Sequence, residues 1–371
     1  MSVKCGDIAT AIEKLAPLAM AESWDNVGLL VGKADHPASQ VLLSVDVTPP
    51  VVEEAVELGA TLIVSHHPFP FQSFRQIRTD TVNGAMLSKL LKHEIAVYAA
   101  HTNLDRATGG VNDALAARLG LFDSTPLQLY NEPLVKIVVF VPEEHEAKVW
   151  RAMSEAGAGH VGNYSDCSFR TKGVGTFMPQ AGSNPFVGQT HQLSSVAEVR
   201  LETIVPAAQS AKVVQAMLAA HPYEEVAYDI FALQNERPMG GLGRIGRLPA
   251  QLSLANFAVV VKAALGVDGV RVYGDIDTQV HSVAVCGGSG MDCAVQASSA
   301  GAAVLVTGDI RYHEAQEALA QGLCLIDAGH FATEYPVLAV LQNYLQHCAE
   351  KQNWNNRFMI ANKQGPIFGQ C

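Results

Sequence analysis

The sequence predicts an α/β protein: a mainly parallel α/β core carrying an inserted, ferredoxin-like α+β unit. Three observations predict it. Short apolar runs alternate with helical stretches towards both ends of the chain, the order changes to βαββαβ in the middle, and histidine or carboxylate groups follow the apolar runs. Parallel strands buried on both faces read as continuous apolar runs, and the crossover between them is usually a helix.

Asp7 is a plausible N-cap for a first helix, with Ile8, Ile12 and Leu15 at helical spacing. Val41 to Val47, Thr61 to Ser65 and Ile95 to Ala100 then read as strands, separated by helices at Val51 to Leu58 and Thr81 to His93. The middle reads strand (Val135 to Val141), helix (Glu143 to Ala156), strand (Tyr164 to Met178), strand (Ala197 to Val205), helix (Ala207 to Ala219) and strand (Glu225 to Leu233).

This middle segment repeats itself. Val141-Pro142, Ala147-Lys148-Val149 and Ala152-Met153 return 64 residues later as Val205-Pro206, Ala211-Lys212-Val213 and Ala216-Met217, since 205 − 141 = 64. A pair of βαβ halves explains a register kept across a strand end and a whole helix. Gln180 to Gly188, rich in Gly, Ser, Asn and Pro, predicts a mobile hairpin tip between the central strands.

Pro238 to Pro249 predicts a hinge back to the core, although Arg244 within it is also a candidate for an anionic ligand. Val283 to Cys286, Ala303 to Thr307 and Leu323 to Ile326 then read as strands, with helices at Met291 to Ala300, Glu314 to Gln321 and Ala332 to Gln346. The domain reading is 1–128 and 237–371 for the two halves of the core and 129–236 for the insert.

Composition limits the function classes. The chain has 371 residues, enough for two or three domains, and only 16% are charged, which suggests surface buried between subunits. A net charge of −11 without any Lys/Arg-rich run argues against nucleic acid as a partner. No long apolar stretch suggests a membrane span and no leader is evident, so the reading is cytoplasmic. The seven cysteines have no CxxC spacing and predict reduced thiols. Any metal must therefore be held by nitrogen and oxygen.

Three candidate groups offer such ligands: His66 with His67, His101 with Asp105, and His330 with Glu334. Each follows an apolar run, and the carboxyl ends of strands in an open α/β sheet line its ligand crevice. If the three strands share one sheet, six ligands meet in one cleft. Adjacent residues on a strand face opposite ways, so His66 and His67 converge only if the chain turns there, and Pro68 favours that. His330 and Glu334 share a face of a helix starting near Gly329, whereas His101 to Asp105 reads as helix or loop.

Imidazoles and carboxylates suit zinc, manganese or iron. Six ligands exceed the need of one tetrahedral ion, and a bridging carboxylate such as Glu334 would suit two ions about 3.5–4 Å apart. A lone histidine is more often a hydrogen-bonded core or surface residue, which is the reading for His93, His145, His160, His191, His221, His281 and His347. Thr307-Gly308-Asp309 reads as a tight βα turn or an anion site, and Gly287-Gly288-Ser289-Gly290 resembles a phosphate-binding turn without the P-loop lysine. Asp309 and His313 are candidate groups behind the ligands.

Trp24-Asp25-Asn26-Val27-Gly28-Leu29, Ser65-His66-His67-Pro68, His101-Thr102-Asn103-Leu104-Asp105, Gly243-Arg244-Ile245-Gly246, Thr307-Gly308-Asp309-Ile310 and Gly329-His330 with Glu334 resemble the NIF-three family, labelled GTP cyclohydrolase I type 2 homologues. The resemblance covers roughly 1 to 128 and 238 to 371. It implies two divalent ions per chain on His66, His67, Asp105, His330 and Glu334, with His101 beside them, in a ring-shaped homohexamer. The middle segment is similar to the PII-like or CutA-like domain that longer bacterial members insert.

The label implies hydrolytic opening of a purine nucleotide's imidazole ring with loss of formate, for which His101 and His313 are the proton-transfer candidates. The leading expectation is a metal-dependent hydrolase of a nucleotide or related small molecule. The alternatives are a regulatory small-molecule-binding protein working through the insert, and a metal-holding scaffold without turnover.

Overall fold

The computed structural model describes residues 3–71 and 75–367. Cys371, counted among the reduced thiols, lies outside them; Cys5, Cys167, Cys286, Cys293, Cys324 and Cys348 are free thiols. The chain divides into two compact units, 1–130 with 239–371 and 131–238.

The strands in chain order are β1 (Gly28–Val31), β2 (Gln40–Ser44), β3 (Leu62–Ser65), β4 (Ala96–Ala99), β5 (Phe122–Pro142), β6 (Phe169–Phe177), β7 (Ser194–Pro206), β8 (Tyr228–Ser253), β9 (Arg271–Tyr273), β10 (Gln279–Val285), β11 (Val304–Thr307), β12 (Cys324–Asp327) and β13 (Arg357–Ile360). The larger unit contains two sheets. One has the order β1-β4-β3-β2-β13, parallel except for β1. The other is built on parallel β10, β11 and β12, flanked by antiparallel β8 and β9.

Alternate residues of each central strand enter different cores, which is why these strands read as unbroken apolar runs. Val41, Leu43, Leu62, Val64, Ala96 and Tyr98 pack with the helices Cys5–Leu15 and Val337–Gln352. Leu42, Ile63 and Val97 face the other way, against Val51, Val52, Leu87 and Leu90. The second sheet repeats the arrangement: Val283, Val304 and Ile326 join one core, Ala284, Leu305 and Leu325 another. Each fully buried Val, Leu or Ile contributes about 1.5–3 kcal/mol relative to exposure.

The smaller unit has the strand order β6-β7-β5-β8 with helices Glu146–Glu155 and Ser210–Ala220. That is the ferredoxin-like arrangement. The 64-residue repeat is its core: Val141 with Val205, Val149 with Val213 and Met153 with Met217 all belong to one cluster.

Several expectations need correcting. Asp7 is not the N-cap; the helix begins at Cys5 and Asp7 reaches back to accept the Lys4 N–H at 2.9 Å. Pro238 to Pro249, read as an irregular Gly/Pro segment, lies within the strand β8. Arg244 is buried, bonded to both Asp113 oxygens (2.5 and 2.8 Å) and to the Gly241, Gly243 and Ala107 carbonyls, so no donor remains for an anion. The expected helix at Ala332 is two, His330–Glu334 and Val337–Gln352, on either side of Pro336. No helix is long and apolar enough to cross a membrane among the described residues.

Candidate metal centre

The candidate ligands come from the carboxyl ends of strands in two sheets, not one. Beyond β3, the His66 and His67 N–H groups still donate to Ser44 and Val45 of the neighbouring strand, while the Ser65 hydroxyl donates to the His67 carbonyl. That local turn swings both rings to the same side, their centroids 5.0 Å apart. Beyond β4, His101 caps the short helix Thr102–Arg106, which places Asp105 one turn on. Beyond β12, Gly329 at φ 87° admits the sharp entry into His330–Glu334.

The groups converge. Glu334 lies 3.5 Å from His66 Nε2 and 3.2 Å from His330 Nε2 through Oε1, and 3.2 Å from His67 Nε2 through Oε2. His66 Nε2 is 3.6 Å from Asp105 Oδ1, and the Nε2 atoms of His67 and His330 are 3.2 Å apart. Ring nitrogens of His66, His67 and His101 lie within 4.8 Å of one another, as do the ligand atoms of His67, His330 and Glu334.

Each ring is oriented from behind through Nδ1: His66 by the Ala100 carbonyl (2.9 Å), His67 by Asp46 (2.7 Å), His101 by Asp25 (2.8 Å) and His330 by Asp309 (2.7 Å). A metal-ligating imidazole is held this way, its far nitrogen donating to a carbonyl or carboxylate. Asp25 also accepts the Thr102 N–H and hydroxyl. Asp309 sits at a left-handed φ of 55°, a conformation whose strain the surrounding structure must overcome.

The residues fit a metal by a direct test. Among the described residues, His66 Nε2, Asp105 Oδ1 and Glu334 Oε2 are buried without a hydrogen-bond partner. Such atoms are costly unless a cation or proton meets them.

The field is strongly negative. Burial presses His66 towards neutrality, but Glu334 and Asp105 outweigh it and raise its pKa. Burial opposes charge on His67 too, yet Asp46 and Glu334 raise it to about 10; the bond to Glu334 leads in raising His330 to about 9. Burial would raise Glu334, but His66, His330 and His67 hold it well below the carboxylate range, whereas burial does raise Asp105. A field that favours imidazolium also favours a cation.

Gly287 and Gly288 serve close approach rather than phosphate binding. A Cβ on Gly288 would lie 2.3 Å from Glu334 Oε1, and the two N–H groups donate to Asn112 and Thr333. Gly308 N–H donates to the Gly288 carbonyl, the tight-turn reading. His313 is exposed on the helix Tyr312–Ala320, its ring against Tyr312, and is not in the cluster. Sequence reasoning missed the roles of Asp25 and Asp46, although Asp46 follows β2 as the histidines follow β3.

Fold and site together define an α/β protein with a buried histidine and carboxylate cluster able to hold metal. The model of the Duf34/NIF3 (NGG1p interacting factor 3) family matches residues 3–366, and the chain belongs to that family. It is 48% identical over 319 residues to a GTP cyclohydrolase 1 type 2 homolog of Halalkalibacterium halodurans, covering 86% of each chain. Identity to the Bacillus subtilis protein of the same name is 43% over 367 residues, 99% of this chain and 98% of that one. A crystal structure of a Bacillus cereus protein related to NIF3 superposes with a TM-score of 0.83 at 43% identity, covering 99% of both chains.

Proposed function

We propose that this chain is a dinuclear divalent-metal hydrolase acting on a nucleotide or related small molecule. The observation that carries the reading is the convergence of His66, His67 and His330 Nε2 on Glu334, with each imidazole fixed through Nδ1. His66, His67, Asp105, His330 and Glu334 would hold two ions of zinc, manganese or iron, with His101 beside them. Bound there, the ions would supply Lewis acidity and lower the pKa of a water.

The chain's own residues do the rest. Glu334 offers both carboxylate oxygens to different histidines, the arrangement a bridging ligand needs. Asp46 and Asp309 fix the tautomers of His67 and His330 by accepting from Nδ1. His101, with Nδ1 on Asp25, keeps Nε2 to exchange a proton with a bound substrate; the Asp25 carboxylate stabilises the imidazolium formed. His313, in its exposed position, could serve only a substrate that extends outwards.

The name shared by the Halalkalibacterium and Bacillus subtilis relatives supports the nucleotide reading. The same proposal includes a cytoplasmic homohexamer, supported by the 16% charged content, and a PII-like identity for the 131–238 unit. Turnover of GTP and related nucleotides by metal-loaded protein, with Glu334→Ala as control, tests the activity. Formate release lost in the variant supports it; equal rates with and without metal refute it. Sedimentation velocity tests the hexamer.

A further inference from the structure

Two large aromatic side chains stand exposed against the candidate metal centre. Trp24 is 64% and Phe71 57% exposed, and both rings make edge contacts with His101, at centroid distances of 6.2 and 5.9 Å. His101 in turn contacts the rings of His66 and His67 at 5.2 and 5.3 Å. One imidazole therefore links the exposed aromatics to the ligand cluster.

Their placement is built. Glu22 N–H donates to the Thr102 hydroxyl, Asp25 takes the Thr102 N–H and His101 Nδ1, and Asn26 Nδ2 donates to the Pro70 carbonyl. Trp24 thus lies in a segment pinned on both sides to the residues around His101, and the same segment is tied to the residue before Phe71. Holding an indole and a phenyl ring in water costs burial free energy unless something covers them. Flat π surfaces are best covered by another flat ring.

We propose that Trp24 and Phe71 recognise the ligand of this centre by stacking a planar heterocycle beside His101. The inference rests on the metal-centre reading above and deepens it by naming the class of substrate.

The test is equilibrium binding, which needs no turnover. Guanosine and guanosine triphosphate are titrated by calorimetry into zinc-loaded wild type, Trp24→Ala, Phe71→Ala and Trp24→Phe, each checked for zinc content and sedimentation. Loss of one stacking partner weakens a base by about tenfold or more. The proposal expects that loss for guanosine in both alanine variants, and binding within about threefold of wild type in Trp24→Phe. Unchanged affinity in the alanine variants overturns it. So does triphosphate binding without nucleoside binding, no binding of either by wild type, or a change in assembly state alone, which would assign the aromatics to a subunit contact. Ring binding without formate release would leave this inference standing and refute hydrolysis.

Discussion

The Nε2 atoms of His67 and His330, carried by two different sheets, face each other at 3.2 Å, while their Nδ1 atoms are tied at 2.7 Å to Asp46 and Asp309. With the Nδ1 protons given to the carboxylates, two lone pairs confront one another. A proton or a metal ion must lie between the sheets' contributions to relieve that repulsion.

In the metal-free protein the raised pKa values of His67 (about 10) and His330 (about 9) mean that both rings carry an Nε2 proton at neutral pH, each facing a Glu334 oxygen at 3.2 Å. Their stabilisation is fully present below the unfolded imidazole pKa and is lost as pH rises through about 9 to 10. Zinc binding at pH 7.5 therefore displaces at least one proton per chain. Calorimetry in buffers of different ionisation enthalpy measures it, and apparent affinity should rise with pH.

Asp46→Asn and Asp309→Asn remove the charge that orients His67 and His330 without emptying the site of oxygen. Each should weaken metal binding by about 10- to 100-fold. Competition with a chromophoric chelator reads the change directly.

Gly288→Ala places a Cβ against Glu334 at a residue with φ 64°. Either Glu334 moves or the backbone does, so we expect a loss of metal affinity of at least about tenfold together with roughly 1–3 kcal/mol of stability. Urea unfolding of the metal-free variant separates the two effects.

Asp25 is held down at about 2, where burial alone would raise it, by its bonds to His101 and Thr102. A depressed carboxylate contributes stability above its unfolded pKa that is lost as pH falls through the folded one. The stability difference between wild type and Asp25→Asn should accordingly shrink between about pH 4 and pH 2. Paired urea curves at stepped pH test this.

Arg244→Met strands the Asp113 carboxylate and three backbone carbonyls, and breaking such a buried pair costs about 3–5 kcal/mol. Thermal or urea unfolding of the metal-free protein should show it; a variant as stable as wild type would remove Arg244 from the fold's supports.

Much of this was legible because periodicity and strand ends are local signals. Ile63-Val64 and Ile95 to Ala100 announced doubly buried strands, and the pairing of Val141 with Val205 announced two βαβ halves. The helix Leu254–Leu265 was missed although Ser253 caps it, Leu254, Phe257 and Val261 share its buried face, and Gly266 ends it. What local pattern does not carry is which sheet a strand joins. The six candidate ligands were expected on one sheet, whereas β3 and β4 belong to one and β12 to another. Asp25 and Asp46 acquire their roles only from contacts 76 and 21 residues away, beyond the reach of any window on the sequence.

The central claim, a shared dinuclear centre, is tested most directly by metal content per chain, measured by inductively coupled plasma mass spectrometry on untagged wild type and Glu334→Ala. Two ions per chain in the wild type, falling to one or none in the variant, is the predicted result. No bound metal in wild type, or the same content in both, would contradict it.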